Sequence, residues 1–366
     1  MPENDQKIIV TDTDTKEQDT PDGVGAYEGA FGDIQMDEQP FTVFEYIRKY
    51  KQGKINIQPD FQRNLVWNFE KKCSFIESIM LNFPIPPIYL NQNIEGDLIV
   101  IDGLQRSSTL IDFYNNDLQL GGLEALPHLN EKTFEKFSPS LQSKFEDKKL
   151  TVFVLKPSTP MTVIYDLFNR INTNGTPLNR QEVRNCIFIG KSTRLLKDLS
   201  EKPYFRDAIS NGISPMRMKD REAILRYVAF RWFGYNQYSG NMSDYLEAAM
   251  KAINHMEELR INEIKDDFKR VMTQSYKLFG RDNFRIPTEY TRGTINMAVL
   301  ETVGNFLSLT SDHIISRYAS EIRRNFHDLL KNEEYYNAVT SSTGNKQKVF
   351  ERFELANHIL KQNLND

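Results

Sequence analysis

The stretch from Leu98 to Ile111 constrains the fold of this chain more than any other part of it. It starts with four consecutive apolar residues, passes through Asp102 and Gly103, and then shows apolar residues at helical spacing from Leu110 onward. A short apolar run, an Asp-Gly pair and a helical pattern predict a strand, a tight turn and a helix, in that order. We therefore expect a sheet in which one strand leads directly into the N-terminus of a helix.

That N-terminus is a candidate anion site. A helix start carries unpaired backbone N–H groups and a partial positive charge, so phosphate oxygens are stabilised there. Gly103 can adopt a positive φ and lets a ligand approach the backbone, and the planar guanidinium of Arg106 can bind a phosphate or a carboxylate through two hydrogen bonds. Gln105 can contact a polar edge of the ligand, and Asp102 can hold Mg²⁺ or orient a water molecule.

The same residues also fit an ordinary turn. Asp-Gly pairs are frequent in turns, and Ser107 or Ser108 can serve only as a helix cap. Arg106 can lie on the surface without a ligand. The motif by itself leaves both interpretations open.

Composition limits the class of protein. The 366 residues are 26% charged and 39% hydrophobic, with no apolar run of membrane-spanning length and no signal-peptide pattern, so we expect a cytoplasmic protein without membrane contact. Cys73 and Cys186 are too few for a disulfide framework or a zinc quartet. None of the five histidines forms a metal-spaced pair.

Charge is distributed unevenly along the chain. Residues 1–40 contain eleven acids and two lysines, a composition typical of a disordered acidic tail. The remaining residues carry 44 bases against 39 acids, a mildly basic balance that permits a polyanionic ligand.

Local signals in residues 41–190 predict a mixture of strands and helices. Ile55–Ile57 alternates as a strand, and the Pro59 that follows cannot donate a ladder hydrogen bond, which confines this strand to an edge or an end of the sheet. Residues 95–97 predict a hairpin that pairs the strand starting at Leu98 antiparallel with its predecessor. A capping box at Thr42 and Glu45 opens a helix, for which the spacing predicts a buried face of Phe44, Ile47 and Tyr50.

Gln62 and Arg63 follow the edge strand, and Trp67 comes four positions later. In a functional interpretation, Arg63 supplies a second guanidinium that faces Arg106 across the anion site. In a structural interpretation, Trp67 belongs to the core and Arg63 lies on the surface.

A turn at residues 173–177 separates two predicted helices and has polar surroundings. A helix hairpin alone would explain the turn, but it does not require so many polar side chains. We interpret these side chains as a cluster that supports the site: Asn169, Arg170, Asn172 and Arg184.

Every strong pattern in residues 191–366 is helical, which predicts a helical domain with its own core. One aromatic cluster is interleaved with Arg226 and Arg231, a mixture that can stack bases, although burial is the commoner use of such residues. The cluster consists of Tyr227, Phe230, Trp232, Phe233, Tyr235 and Tyr238.

Four motifs follow one another along the chain. They are Pro59-Asp60-Phe61-Gln62-Arg63 with Trp67, then Phe83-Pro84-Ile85-Pro86-Pro87, then Ile101-Asp102-Gly103-Leu104-Gln105-Arg106, then Phe168-Asn169-Arg170-Ile171-Asn172 through Thr176-Pro177-Leu178. In this order they resemble the N-terminal domain family of GmrSD-type modification-dependent restriction enzymes. The resemblance covers about residues 41–235 and is far more specific than any single motif.

The resemblance implies an α+β fold with a ParB-like small mixed sheet, followed here by the helical domain. It also implies binding, and in several members hydrolysis, of a nucleoside triphosphate, and bacterial defence against phage DNA with modified bases or backbones. The family segment usually written Asp-Gly-Gln-Gln-Arg reads Asp102-Gly103-Leu104-Gln105-Arg106 in this chain. Leu104 lacks the donor and the acceptor of a glutamine, so nucleotide preference or turnover can differ from the family norm.

Many family members carry a C-terminal nuclease domain with a His-Asn-His metal site, and no such pattern follows residue 191. We therefore do not expect DNA cleavage by that chemistry, and any cleavage would come from the ParB-like domain or from a partner nuclease subunit. The histidines in this part stand singly within helical patterns: His255, His313, His327 and His358.

The leading hypothesis is a nucleotide-dependent component of anti-phage defence, a nucleoside triphosphatase that uses Mg²⁺. Phosphoryl transfer needs mostly positioning and charge neutralisation, which these side chains can provide. The alternatives are a ParB-like DNA nickase or endonuclease, and a non-catalytic nucleotide or DNA sensor that acts with a partner nuclease. The predicted site comprises Arg63, Gly103, Arg106, Ser107, Ser108 and Thr109 on the phosphates, Gln62 and Gln105 on base, sugar or water, and Asp102 on Mg²⁺ or the attacking water.

Overall fold

The computed structural model describes residues 36–57, 67–93, 96–157, 159, 163–164, 167, 170, 179–287 and 293–364. These residues form two compact units, with the boundary between Ile187 and Phe188. We describe each unit by itself.

The first unit is built on a mixed five-stranded sheet. Its strand order is β1-β5-β3-β4-β2, in which β1 pairs antiparallel with β5, β5 parallel with β3, β3 antiparallel with β4, and β4 parallel with β2. The short strand β2 lies at the edge of the sheet, as the proline after it predicts. The strands are β1 (Met36–Thr42), β2 (Ile55–Asn56), β3 (Ile88–Gln92), β4 (Leu98–Asp102) and β5 (Lys149–Leu155).

Strand β1 begins earlier than the sequence indicates. The acidic composition places residues up to 40 in a disordered tail, yet Met36 already pairs with Leu155 and Pro40 with Thr151. Pairing along the full length of β5 outweighs the polar composition of this segment. Residues 1–35 lie outside the described part of the chain.

Four helices pack on one face of the sheet and form the main core of this unit with it. Leu98 and Val100 of β4 belong to this core, and Ile101 points to the opposite face, as alternation along a strand requires. The helices are α1 (Val43–Lys51), α2 (Phe69–Met80), α3 (Leu104–Tyr114) and α4 (Pro139–Glu146).

Helix α1 confirms the predicted capping box and, of the predicted buried face, Ile47 and the partly buried Tyr50 but not Phe44. The Glu45 N–H donates to Thr42 Oγ1 at 3.1 Å, and the Thr42 N–H donates to Glu45 Oε2 at 2.9 Å. The Val43 N–H also donates to the Lys148 carbonyl at 2.9 Å, which anchors the helix start to the chain just before β5. The helix therefore buries Val43, Tyr46 and Ile47, and Phe44 remains 44% exposed.

A smaller core covers the other face of the sheet. Ile101 and Leu155 of the sheet pack there with Val183 and Cys186 of helix α5 (Arg180–Ile187). Both cysteines of the chain are buried, and burial raises the pKa of each thiol. Neither cysteine is a thiolate at neutral pH, in agreement with a core role.

The second unit, within residues 188–366, contains helices and no strand longer than one isolated bridge among the described residues. The fold class predicted from the sequence, α+β with a helical second part, is confirmed. The helices are α6 (Lys191–Ser200), α7 (Pro203–Ala208), α8 (Lys219–Phe233), α9 (Met242–His255), α10 (Glu258–Phe279), α11 (Met297–Leu309), α12 (Asp312–Arg317), α13 (Ala319–Lys331), α14 (Glu333–Thr340) and α15 (Lys346–Leu360).

Half of the predicted aromatic cluster in this unit belongs to the core. Tyr227, Phe230 and Tyr238 are each 1% exposed, so they are not available to stack bases. Trp232 is only partly buried, and the guanidinium of Arg260 lies 4.2 Å from its ring centroid. Within the described residues, no helix is both long and apolar enough to cross a membrane.

A buried carboxylate joins three helices of this unit. Glu301 of α11 accepts hydrogen bonds from Arg226 of α8 at 2.5 Å and from Arg352 of α15 at 2.7 Å. All three side chains are at most 4% exposed. Because both guanidiniums are shielded from water, the shared carboxylate of Glu301 gives each of them charge compensation inside the core.

We expect Glu301→Gln to destabilise the helical unit by about 3 to 5 kcal/mol, because it removes a buried negative charge that two buried cations share. The measurement is urea unfolding followed by far-UV circular dichroism. Glu263→Gln is the matched control, because Glu263 pairs with Arg260 at the same 2.5 Å on the exposed surface. The control should change stability by less than about 1 kcal/mol. Equal effects of the two substitutions would contradict the assigned role of the buried carboxylate.

Candidate functional site

The predicted strand, turn and helix are present, and the helix starts at Leu104. Strand β4 ends at Asp102, and Gly103 takes a left-handed conformation with φ +97°. The Ser107 N–H donates to the Gly103 carbonyl at 2.8 Å, so the N–H groups before it precede the first helical bond. Gly103, the N-cap residue, has no side chain with which to cap this helix start, and a helix start of this kind favours an anion.

Arg106 lies across the turn. Its Nη2 atom donates to Asp102 Oδ2 at 2.5 Å, and the side chain is 13% exposed. A Cβ atom at Gly103 would lie 3.2 Å from Nη2 and 3.3 Å from Nε of Arg106, so the guanidinium packs directly on the backbone of the turn. The Nε atom is buried and has no hydrogen-bond partner, which leaves one charged donor unsatisfied beside the helix start.

Gln105 connects the helix start to Trp67. Its Oε1 atom accepts a hydrogen bond from the Trp67 backbone N–H at 3.0 Å. The Trp67 ring contacts Phe75 edge-on, with centroids 5.3 Å apart, and packs against the main core. Gln105 thus orients the chain where it enters α2. Its side-chain oxygen, Oε1, is occupied by this hydrogen bond.

The three hydroxyl residues of the motif are not at the helix start. Ser107 and Thr109 are fully buried, and their hydroxyls bond Tyr46 and the Gln105 carbonyl, each at 2.7 Å. The Ser108 hydroxyl donates to the Leu104 carbonyl at 2.7 Å. Because α3 begins three residues before Ser107, these side chains lie in its second turn, and their placement differs from the predicted role as phosphate ligands.

The two described arginines of the predicted supporting cluster differ in burial. Arg170 is exposed, whereas Arg184 of α5 is 3% exposed and donates to Gln181 Oε1 at 3.2 Å. The prediction that Arg63 faces Arg106 concerns a residue outside the described part of the chain. Four predicted residues lie outside it: Gln62, Arg63, Asn169 and Asn172.

Tyr46 supports the site but was not singled out by the sequence. Its hydroxyl lies 2.7 Å from Ser107 Oγ, and this pair joins α1 to α3 inside the core. Burial raises the pKa of Tyr46 above its ordinary value, so the phenol stays protonated and available for this hydrogen bond. The sequence holds one signal that could have identified Tyr46. It lies three residues after Val43, at helical spacing, and both residues are on the buried face of α1.

The described residues contain no group of three or more histidine, cysteine or acidic side chains that could hold a metal ion. Asp102 is the one carboxylate at the turn described above, and Arg106 occupies one of its oxygens. A metal ion held by this carboxylate would need most of its ligands from a bound molecule.

We expect Gly103→Ala to destabilise the protein more than Gly53→Ala. Both glycines have a positive φ, which costs about 1 to 2 kcal/mol for an alanine, and nothing lies within 4 Å of a Cβ at Gly53. At Gly103 the new Cβ would also meet Ile88 at 3.1 Å and Arg106 at 3.2 Å, which should add about 1 to 3 kcal/mol. Urea unfolding of both variants measures the difference. Equal losses would show that Arg106 does not pack on the turn.

Comparison with known proteins assigns part of the chain to a family. Residues 43–189 match the family model described as GmrSD restriction endonuclease, N-terminal domain. No curated protein and no solved structure matches the chain. The matched segment contains β4, the Gly103 turn and α3. The match confirms the predicted family, although it ends at residue 189 and not near residue 235, and residues 43–189 belong to the N-terminal domain family of GmrSD restriction endonucleases.

Proposed function

We propose that this chain is a nucleotide-dependent component of a restriction system in anti-phage defence, and that its first unit binds and hydrolyses a nucleoside triphosphate. The observation that carries the proposal is the uncapped start of α3, with the buried, unpartnered Nε of Arg106 beside it. A polyphosphate would satisfy both features at once, since it supplies anionic oxygens to backbone N–H groups and to a guanidinium.

The ion pair prepares this site for an anion. Asp102 holds Arg106 against the turn, so the guanidinium is already ordered before a ligand binds. A preordered group loses less conformational entropy on binding, which improves affinity. Gly103 permits close approach because it has no side chain and because φ +97° turns the backbone toward the helix start.

Asp102 has a second role in the proposed hydrolysis. Its carboxylate lies at the carboxyl end of β4, next to the helix start, where it can accept a proton from an attacking water. The residues also fit Mg²⁺ that enters with the triphosphate, because this ion usually binds to one or two carboxylates plus phosphate oxygens. When bound, Mg²⁺ would neutralise phosphate charge, and Asp102 would be its protein ligand.

The proposed defence role follows from the family of residues 43–189, whose printed description names restriction endonucleases. We propose DNA, in particular phage or modified DNA, as the target of the system. A partner nuclease subunit would supply cleavage. The alternative is a DNA nickase, in which Asp102 would help to hold a metal ion.

The first test is a thermal-shift panel of ATP, GTP, CTP and UTP with Mg²⁺. At a concentration of one hundred times its dissociation constant, the preferred nucleotide should stabilise the protein by about 2.7 kcal/mol. Arg106→Ala should remove charge-assisted hydrogen bonds worth about 1.5 to 3 kcal/mol and so weaken binding about tenfold to a hundredfold. Arg48→Ala is the control, because Arg48 is an exposed arginine of the same unit, and it should leave the shift unchanged.

An unchanged shift in Arg106→Ala would refute the proposed phosphate site. Arg106→Lys keeps the charge but loses the planar fork, so partial recovery is expected if the charge alone contributes.

Hydrolysis is tested by phosphate release. Asp102→Asn should still bind nucleotide, because Arg106 and the helix start remain, but phosphate release should fall about a hundredfold or more. Phosphate release equal to that of the wild type would refute the role of Asp102. Binding without turnover in the wild type would leave the site intact and identify the protein as a nucleotide sensor.

A further inference from the structure

A cavity opens on the surface of the first unit, where the C-terminal ends of α2 and α4 meet the start of β5. Its volume is about 410 Å³, within the range of about 300 to 1,000 Å³ that small-molecule sites occupy. None of its residues belongs to the proposed nucleotide site. The residues that line the cavity are Ile79, Asn82, Lys144, Asp147, Lys148 and Lys149.

The charges around this cavity favour an anion. Three lysines against one aspartate give its lining a net charge of +2 at neutral pH. Lys144 and Lys149 are exposed, and neither forms an ion pair with any residue that the structure describes. A phosphate monoester carries the matching charge, about −1.5 to −2 at pH 7. The charge of the lining therefore fits one dianionic phosphate group.

Lys148 is held in place without a ligand. Its Nζ atom donates to Asn82 Oδ1 and to the Phe83 carbonyl, each at 2.8 Å. Both acceptors lie just after α2, so this lysine ties the start of β5 to the end of α2. An ammonium group has three N–H donors, and these two bonds leave one for a ligand. Burial lowers the pKa of Lys148, and an anion in the cavity would offset that effect.

Asn82 adds an uncharged donor to the cavity. Its φ of +58° is left-handed, a conformation that asparagine adopts more readily than most residues, and its backbone N–H donates to the Ile79 carbonyl at 3.0 Å. Because Oδ1 accepts from Lys148, the other end of the amide, Nδ2, is the donor end, and no described residue accepts from it. Nδ2 can therefore donate to a phosphate oxygen.

Stabilisation of helix ends does not explain all three lysines. Lys144 lies in the last turn of α4, where a cation interacts favourably with the helix dipole, and Lys148 holds the end of α2. Lys149 has neither role, since it is the first residue of β5 and is exposed. Like charges around one cavity repel one another, and a bound anion relieves that repulsion.

We propose that this cavity binds a dianionic phosphate group, either inorganic phosphate or the phosphate of a small organic monoester. Lys144 and Lys149 neutralise its charge, since an ammonium group binds phosphate as a point charge. Lys148 and Asn82 donate hydrogen bonds to its oxygens. The aliphatic side chain of Ile79 contacts the organic part of a monoester.

The cavity is distinct from the anion site at the start of α3. Trp67, which bonds Gln105 of that site, precedes the N-terminus of α2, whereas the cavity lies at the C-terminal end of the same helix. The 12 residues of α2 span about 18 Å. The proposal therefore concerns a second ligand and does not depend on nucleotide hydrolysis.

The test is isothermal titration calorimetry of the full chain with glycerol 3-phosphate and with inorganic phosphate at constant ionic strength. The double variant Lys144→Ala, Lys149→Ala should weaken binding at least tenfold, because it removes two charged donors. The matched control is Lys71→Ala, Lys136→Ala, which removes two exposed lysines of the same unit outside the cavity and should keep wild-type affinity. Tighter binding of glycerol 3-phosphate would identify an organic monoester as the ligand, and equal or weaker binding would identify inorganic phosphate.

The charge match has its own control. The methyl diester of glycerol 3-phosphate carries one negative charge and should bind several-fold more weakly than the monoester, because it loses one unit of charge attraction. Equal affinity of diester and monoester would overturn the proposal, and so would the absence of saturable binding in the wild type.

Folding of the variants is checked by their melting curves. Both replaced lysines are exposed, so the double variant should melt close to the wild type. Lys144→Gln, Lys149→Gln takes its place if the alanine variant unfolds. Wild-type phosphate affinity in either folded double variant would contradict the assigned site.

The outcome can be separated from the nucleotide site. Arg106→Ala should keep the affinity for glycerol 3-phosphate, and Lys144→Ala, Lys149→Ala should keep the nucleotide thermal shift. An absent nucleotide shift in the wild type with intact phosphate binding would refute the proposed function alone. Loss of phosphate binding in Arg106→Ala would place the phosphate at the start of α3 and overturn the present proposal.

Discussion

The ion pair between Asp102 and Arg106 is the interaction on which the candidate site depends. It closes over Gly103, whose left-handed backbone brings the end of β4 and the start of α3 within one turn. The pair orders the guanidinium before any ligand arrives, yet one guanidinium nitrogen stays buried without a partner. A site of this kind is poised for an anion, because a ligand adds hydrogen bonds without having to immobilise the side chain.

The helical unit uses cations in two contrasting ways. Arg226 and Arg352 are buried and share the carboxylate of Glu301, which fixes three helices together. Other cations, such as Lys277 and Arg323, are exposed to water. Buried cations need a fixed counter-charge to offset desolvation, whereas exposed ones are solvated and need none.

Local signals predicted many elements correctly. The capping box at Thr42, the antiparallel pairing of β3 with β4 and the edge position of β2 are all confirmed. These features depend on residues a few positions apart. The helical pattern of residues 191–366 does not show where one helix ends and the next begins: at Tyr318, between α12 and α13, φ is −110° and ψ is 26°, which is not helical. Apolar spacing alone does not register such a break.

The sequence by itself determined the order of strand, turn and helix around Gly103, the family of residues 43–189 and the helical nature of the second part. Only the tertiary structure decided which polar atoms of this segment are accessible to a ligand. Ser107 and Thr109 look like phosphate ligands in the motif, but packing against α1 buries them, and Arg106 is held by Asp102. The physical reason is that burial and ion pairing depend on residues distant in the sequence, whereas turns and caps depend on their immediate neighbours.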